Sequence, residues 1–169
     1  MKRKSFKTAM LLVALGSSLW AQNSSNPLWM RYPAISPDGK HIAFSYMGNL
    51  FRVSSDGGMA ELLTSNAAYD FSPVWSPDGQ TIAFASNRYG NFDVFTIPAM
   101  GGEAMRLTFH SADEIPSAFS PDGKSILFSA CIQDNANNIQ FPSGALSELY
   151  SVPTQGGRIA QILTTPAEQ

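Results

Sequence analysis

Apolar residues along this chain come in short runs separated by polar turns, and one set of runs recurs three times. Residues 42–44, 82–84 and 126–128 read Ile-Ala-Phe, Ile-Ala-Phe and Ile-Leu-Phe. Such β-branched and aromatic runs suit a strand buried on both faces. A further strand carries Phe51 and Val53 in the first copy, Phe95 and Ile97 in the second, and Tyr150 and Val152 in the third. This spacing of two turns one face of the strand into a core. Ahead of each run, residues 32–36, 72–76 and 117–120 predict a strand closing on a large apolar residue, Ile35, Trp75 or Phe119. Outside the first 21 residues no useful stretch has a helical period. The pattern predicts an all-β chain.

The turns repeat in the same frame. Ser-Pro-Asp-Gly stands at 36–39, 76–79 and 120–123, with starts 40 and then 44 residues apart. Proline presets φ at the second turn position, aspartate bonds the local backbone, and glycine takes the positive-φ position of a bulged hairpin. Gly-Gly at 57–58, 101–102 and 156–157 makes a later turn, and a last strand is predicted to end in Leu-Thr at 63–64, 107–108 and 163–164. Each copy is thus a four-stranded antiparallel unit. One such sheet cannot bury both faces alone, and radial stacking solves the problem. The prediction is a partial β-propeller of three four-stranded antiparallel blades, at about 28–64, 71–108 and 115–164. A generic β-sandwich leaves the common register of the three copies unexplained.

Eleven residues separate Thr64 from Ser76 and Thr108 from Ser120, whereas only residues 165–169 follow Thr164. They match the approach to a fourth blade, and closed rings take roughly four to eight. The sequence is therefore expected to be the front part of a longer protein. The alternative is a three-blade protein that closes as a homo-oligomer, for example a six-bladed dimer. With two blade faces open, residues 22–169 alone are expected to self-associate.

Composition adjusts this picture at the start of the chain. Lys2, Arg3, Lys4 and Lys7 precede an apolar run over 9–15 and a Leu19-Trp20-Ala21 site. That order predicts a secretory signal peptide over 1–21, too short in its apolar run to span a bilayer. Its removal takes four of the 11 basic residues and none of the 13 acidic ones, which moves the net charge from −2 to −6. An acidic exported chain, periplasmic or extracellular, with no basic cluster has no footprint for nucleic acid. The one cysteine, Cys131, is expected to be a small core residue in a strand.

Candidate chemistry is sparse. His41 and His110 lie near no exposed-nucleophile turn, and metal-ligand spacing is absent. Asp38, Asp78 and Asp122 recur because the turn recurs, which marks a scaffold role. Asp70, Arg88, Asp93, Asp113 and Glu114 are expected at blade edges as solvated rim residues, the alternative being that they line a channel or hold a peptide terminus. The third copy carries about a dozen extra residues between Cys131 and Leu149. Its Asp134 and Asn135 are adjacent rather than spaced as calcium ligands, so a polar surface loop is expected. No catalytic, cofactor-binding or metal-binding residue is assigned, and no cofactor is implied.

Together these motifs resemble the WD40-like blades of the TolB type, and more closely the N-terminal propeller of bacterial tricorn-like proteases. The resemblance rests on residues 26–39 behind the signal peptide, on 85–95 (Ala-Ser-Asn-Arg-Tyr-Gly-Asn-Phe-Asp-Val-Phe) and on 144–150. It implies an exported serine peptidase in which two propellers and a PDZ-like module accompany a catalytic domain far downstream of this segment. The propeller's implied role is to guide peptides to that domain, so the implied partners are peptides or proteins and the rest of the parent chain. A TolB-like protein-binding propeller without enzymatic activity, and the propeller of a prolyl-oligopeptidase-like hydrolase, share the blade motif.

Overall fold

The computed structural model describes residues 29–132 and 147–163. The expected signal peptide, most of the third-copy insertion (133–146) and residues 164–169 lie outside the described residues. The described residues form twelve strands in three antiparallel sheets. Sheet 1 contains β1 (Arg31–Ile35), β2 (His41–Tyr46), β3 (Asn49–Ser54) and β4 (Glu61–Leu62). Sheet 2 contains β5 (Asp70–Trp75), β6 (Thr81–Ser86), β7 (Asp93–Pro98) and β8 (Met105–Arg106). Sheet 3 contains β9 (Glu114–Phe119), β10 (Ser125–Ala130), β11 (Glu148–Pro153) and β12 (Ala160–Leu163). In each sheet, spatial order follows chain order. The first strands lie together, β1 beside β5 and β5 beside β9, while β4 and β8 pack mainly on their own sheets. The sheets therefore converge on their first strands and fan apart at their last, as blades of a propeller do.

Each Ser-Pro-Asp-Gly turn is closed by the same bonds. The Gly39, Gly79 and Gly123 amides donate to the carbonyls of Ser36, Ser76 and Ser120 at 2.8–2.9 Å. These glycines have φ of 72°, 69° and 70°, a region that side chains with a Cβ rarely adopt. The expected apolar spacing is also present. Phe44 faces Phe51, Phe84 faces Phe95, and Phe128 faces Tyr150 in cross-strand register. Their rings stack at 5.7–5.8 Å.

Two apolar cores sit between the sheets. Ala43, Leu50 and Leu63 of sheet 1 pack against Trp75, Ile82, Phe84, Phe95 and Ile97 of sheet 2. The other face of sheet 2, through Ala83, Val94 and Leu107, packs against Ile126, Phe128, Tyr150 and Val152. Large rings of one sheet thus meet small or aliphatic residues of the preceding one, which fills the gap to ordinary interior density. Polar side chains, Trp75 and Arg52 among them, also bridge sheets 1 and 2. The Trp75 indole N–H donates to the Ala34 carbonyl at 3.0 Å, and buried Arg52 donates from Nη1 to the Ala99 carbonyl at 2.9 Å.

Three expectations are corrected. Burial of the second strand on both faces holds for β6, whose residues 82–86 are all buried, but Ile42 and Leu127 are only half-buried. No neighbouring sheet among the described residues covers those faces. For the same reason Ile35 is 63% exposed, whereas Trp75 at the matching position is 8% exposed. Cys131 lies past the end of β10 and is half-buried, with Sγ 3.7 Å from the Ser147 hydroxyl. Finally, β4 and β8 stop before Leu-Thr. The threonines instead tie the outer edge to the third strand: Thr64 Oγ1 accepts the Leu50 N–H at 2.9 Å, and Thr108 Oγ1 accepts the Val94 N–H at 2.8 Å.

This packing makes equivalent rings unequal. Phe95→Ala is expected to cost about 3–5 kcal/mol, the value for a ring removed from a closed core. Phe51→Ala, at the equivalent place on a half-covered face, should cost less than half of that. Urea unfolding of the two variants beside the parent chain measures the difference.

Candidate functional site

The two ends of the sheets differ in chemistry. At one end lie the Ser-Pro-Asp-Gly and Gly-Gly turns. Ser36, Ser76 and Ser120 donate their hydroxyls to Asp38, Asp78 and Asp122 at 2.5–2.6 Å. Each serine oxygen also accepts the backbone N–H five residues on, at 2.9 Å. The serine hydroxyls first, and the backbone N–H two residues on second, hold the three aspartates below the usual carboxylate range. Their work is to fix the turns. His41 belongs to the same device, since its amide donates to Ser36 Oγ.

The opposite end gathers the starts of the first and third strands, the connectors between sheets, and the described flanks of the third-copy insertion at 131–132 and 147. Here the expectation of solvated rim residues is overturned. Asp70, Asp93 and Glu114 are fully buried at the first positions of β5, β7 and β9. Arg88 Nη2 stands 3.2 Å from both Asp70 oxygens, while its Nε donates to Ser86 Oγ at 2.9 Å. The same guanidinium lies 4.5 Å from the Phe95 ring centre. Asn66 completes the aspartate's set, donating from Nδ2 at 2.8 Å. Arg106 pairs with Asp93, and its guanidinium lies 4.6 Å from each of the Tyr89 and Phe109 rings. Burial costs a carboxylate heavily unless it is paired, and these pairs supply the compensation. Asp113 does remain exposed, and its Oδ1 accepts the Phe92 N–H at 2.9 Å. His110 is a connector cap, its Nδ1 accepting the Ala112 N–H at 3.0 Å.

Glu114 is the exception. Both its oxygens are buried without a hydrogen-bond partner. Counting from the turn serine, the position of Arg88 in sheet 2 is that of Ile132 in sheet 3, so the matching guanidinium is missing. Desolvation above all pushes the Glu114 carboxyl up to about 7. The Thr108 hydroxyl pulls it back without a well-aligned hydrogen bond, the Asp93 charge raises it further, and Arg106 and the His110 amide oppose the rise. A carboxyl with so raised a pKa suits acid–base work only where substrate reaches it. This one has no exposed surface and sits beside Asp93 and Thr108 rather than a nucleophile–base pair. Among the described residues, no group of three or more His, Cys, Asp and Glu could hold a metal ion.

An open groove of about 530 Å³ lies at this same end between sheets 1 and 2, lined by Trp29, Arg31, Met47, Gly48, Tyr69 and Asn87 among others. Trp29 is 74% exposed and Met47 81% exposed. Beside it, the Phe71 ring meets Tyr32 at 5.1 Å, Phe92 at 4.9 Å and Tyr69 at 5.6 Å. Trp29, Tyr32, Met47 and Ser72 all have positive φ, a region sparsely populated by residues other than glycine. Tyr32 and Ser72 owe it to equivalent bulges in β1 and β5, each directly before a proline that cannot join the ladder. Sequence reasoning did not single out this groove. Its one signal was the placing of Trp29, Met47 and Tyr69 outside the strands, where alternation does not call for large apolar residues.

Residues 27–169 match the model of the tricorn protease N-terminal beta propeller domain. A stretch of 56 residues is 38% identical to a protein TolB homolog of Chlorobium luteolum, covering 33% of this chain and 13% of that protein. A solved TolB structure from Agrobacterium tumefaciens superposes with a TM-score of 0.67 at 22% identity, covering 81% of this chain and 50% of that one. The crystal structure of the tricorn protease superposes with a TM-score of 0.54 at 12% identity, covering 73% of this chain and 13% of that one. The chain thus spans half or less of the length of each of these three proteins.

The buried Glu114 carries a pH signature. Its folded pKa lies above the unfolded value, so the folded state holds the extra proton between about 4.5 and about 7. Its stabilising contribution is complete below that window and lost as pH rises through it. Unfolding free energy should fall across the window by on the order of 2 kcal/mol more in the parent than in Glu114→Gln. Urea melts of both proteins at half-unit pH steps read the difference.

Proposed function

Because the chain belongs to the tricorn protease N-terminal β-propeller family, we propose that it is the propeller portion of an exported peptidase. Its role is to receive polypeptide and pass it toward a catalytic domain elsewhere in the parent protein. The observation that carries this reading is the division between the two ends of the sheets. One end is tied up by the repeated Ser–Asp turns. The other presents the Trp29–Met47–Tyr69 groove and the exposed aromatic rims, on a base stiffened by buried Arg–Asp pairs. Extended polypeptide is captured by such open apolar and aromatic surfaces, with open strand edges offering main-chain pairing. Export is supported by the basic-then-apolar order of the first 21 residues.

A second reading has its own support. The TolB superposition covers more of this chain, at a higher TM-score, than the tricorn protease one does. On that reading the propeller binds a protein partner and serves no catalytic domain. A third, in which the propeller belongs to a prolyl-oligopeptidase-like hydrolase, shares the same blade chemistry.

The full chain, immobilised, is expected to retain reduced carboxymethylated α-lactalbumin, an unfolded polypeptide, and to leave it uncleaved. Native α-lactalbumin should pass through. Retention of neither form, or equal retention of both, would overturn the peptide-guiding role.

A further inference from the structure

The groove between sheets 1 and 2 carries a more specific reading, which rests on the view that this end receives polypeptide. Its walls are large and apolar, with the indole of Trp29, the thioether of Met47 and the ring of Tyr69 all reaching solvent. Its one cation is Arg31, exposed, with its guanidinium carbon 5.4 Å from the Trp29 ring centre. Arg31 makes no salt bridge among the described residues, whereas Arg52, Arg88 and Arg106 each have a carboxylate. A guanidinium stacked on an indole keeps its N–H fork free for a carboxylate in the guanidinium's own plane.

Several polar groups in and beside the groove are engaged. Ser45 Oγ donates to the Asp70 carbonyl at 2.8 Å, and the Tyr69 amide donates to Asn87 Oδ1 at 2.7 Å. The Ala68 amide is bonded to Asn66 Oδ1 at 2.7 Å, and the Asp70 amide to the Gly48 carbonyl at 2.8 Å. A peptide's terminal carboxylate is normally held in a nest of successive free backbone N–H groups, and the consecutive amides of Ala68, Tyr69 and Asp70 are already taken. A side-chain carboxylate needs only the guanidinium fork. The groove, at about 530 Å³, has the volume of a small-ligand site. We propose that it binds an internal peptide segment in which a large apolar or aromatic side chain lies next to an aspartate or glutamate. The apolar side chain fills the space between Met47 and Tyr69, and the carboxylate meets Arg31. Trp29 and Met47 reach the groove from positive-φ backbone, where neither residue type is ordinarily found.

The test uses the full chain and three N-acetylated probes: Ac-Gly-Phe-Glu-Gly-NH2, its Gln counterpart, and Ac-Gly-Gly-Phe with a free C-terminus. Titration calorimetry at low salt should show the Glu peptide bound about three- to tenfold tighter than the Gln peptide. That preference should vanish in Arg31→Ala, while Met47→Ala weakens both peptides alike. Both side chains are exposed, and circular dichroism checks that the variants fold. Three results would overturn the inference: equal binding of the Glu and Gln peptides, a preference that survives in Arg31→Ala, or tightest binding of the free-acid probe. Unfolded α-lactalbumin separates this from the broader reading. If the parent and Arg31→Ala retain it equally, polypeptide capture stands and the Arg31 site falls; if neither retains it, both fall.

Discussion

A four-stranded sheet with apolar residues on both faces is unstable until something lies against each of them, and this requirement organises the molecule. Sheet 2 meets it on both sides. Its Phe84 and Phe95 rings press on Ala43 and Leu50, and its Ala83 and Val94 leave room for Phe128 and Tyr150. The alternation of large and small residues lets one sequence pattern dock onto a copy of itself. Everything else depends on that docking. The Trp75–Ala34 and Arg52–Ala99 bonds exist because the sheets are already in contact. The acids at the strand starts are dry because neighbouring connectors cover them.

Local chemistry is what the sequence displays best. Ser-Pro-Asp-Gly names its own turn, since every group that closes it lies within five residues. Phe44, Phe84 and Phe128 could be assigned to strands from their short β-branched and aromatic runs, and Phe51, Phe95 and Tyr150 from a spacing of two. The role of the Leu-Thr threonines was hidden, although their recurrence was plain. A threonine that accepts an N–H 14 residues away leaves no mark within its own strand.

Long-range electrostatics was the least legible. Asp70 and Asp93 look like surface residues in a linear reading, because the arginines that pair with them lie 18 and 13 residues away. Aligning the three copies does yield one clue, the replacement of Arg88 by Ile132, which accounts for the unpaired Glu114. The groove was nearly illegible for a different reason. Connectors have no periodicity, so beyond its place outside a strand nothing in the pattern marks Met47 as a groove wall.

The unequal covering of the sheets also sets an order of opening. Units that touch only their neighbours behave as a linear chain of couplings, and the member clasped on both sides is the last to lose its bonds. Amide protons in β6 and β7, the core strands of sheet 2, should therefore exchange with solvent most slowly. Those in β2 and β11, each in a sheet with one face that no other described sheet covers, should be released earlier. Opening is thus expected to run from sheets 1 and 3 toward sheet 2, with the Arg88–Asp70 clamp among the last contacts released.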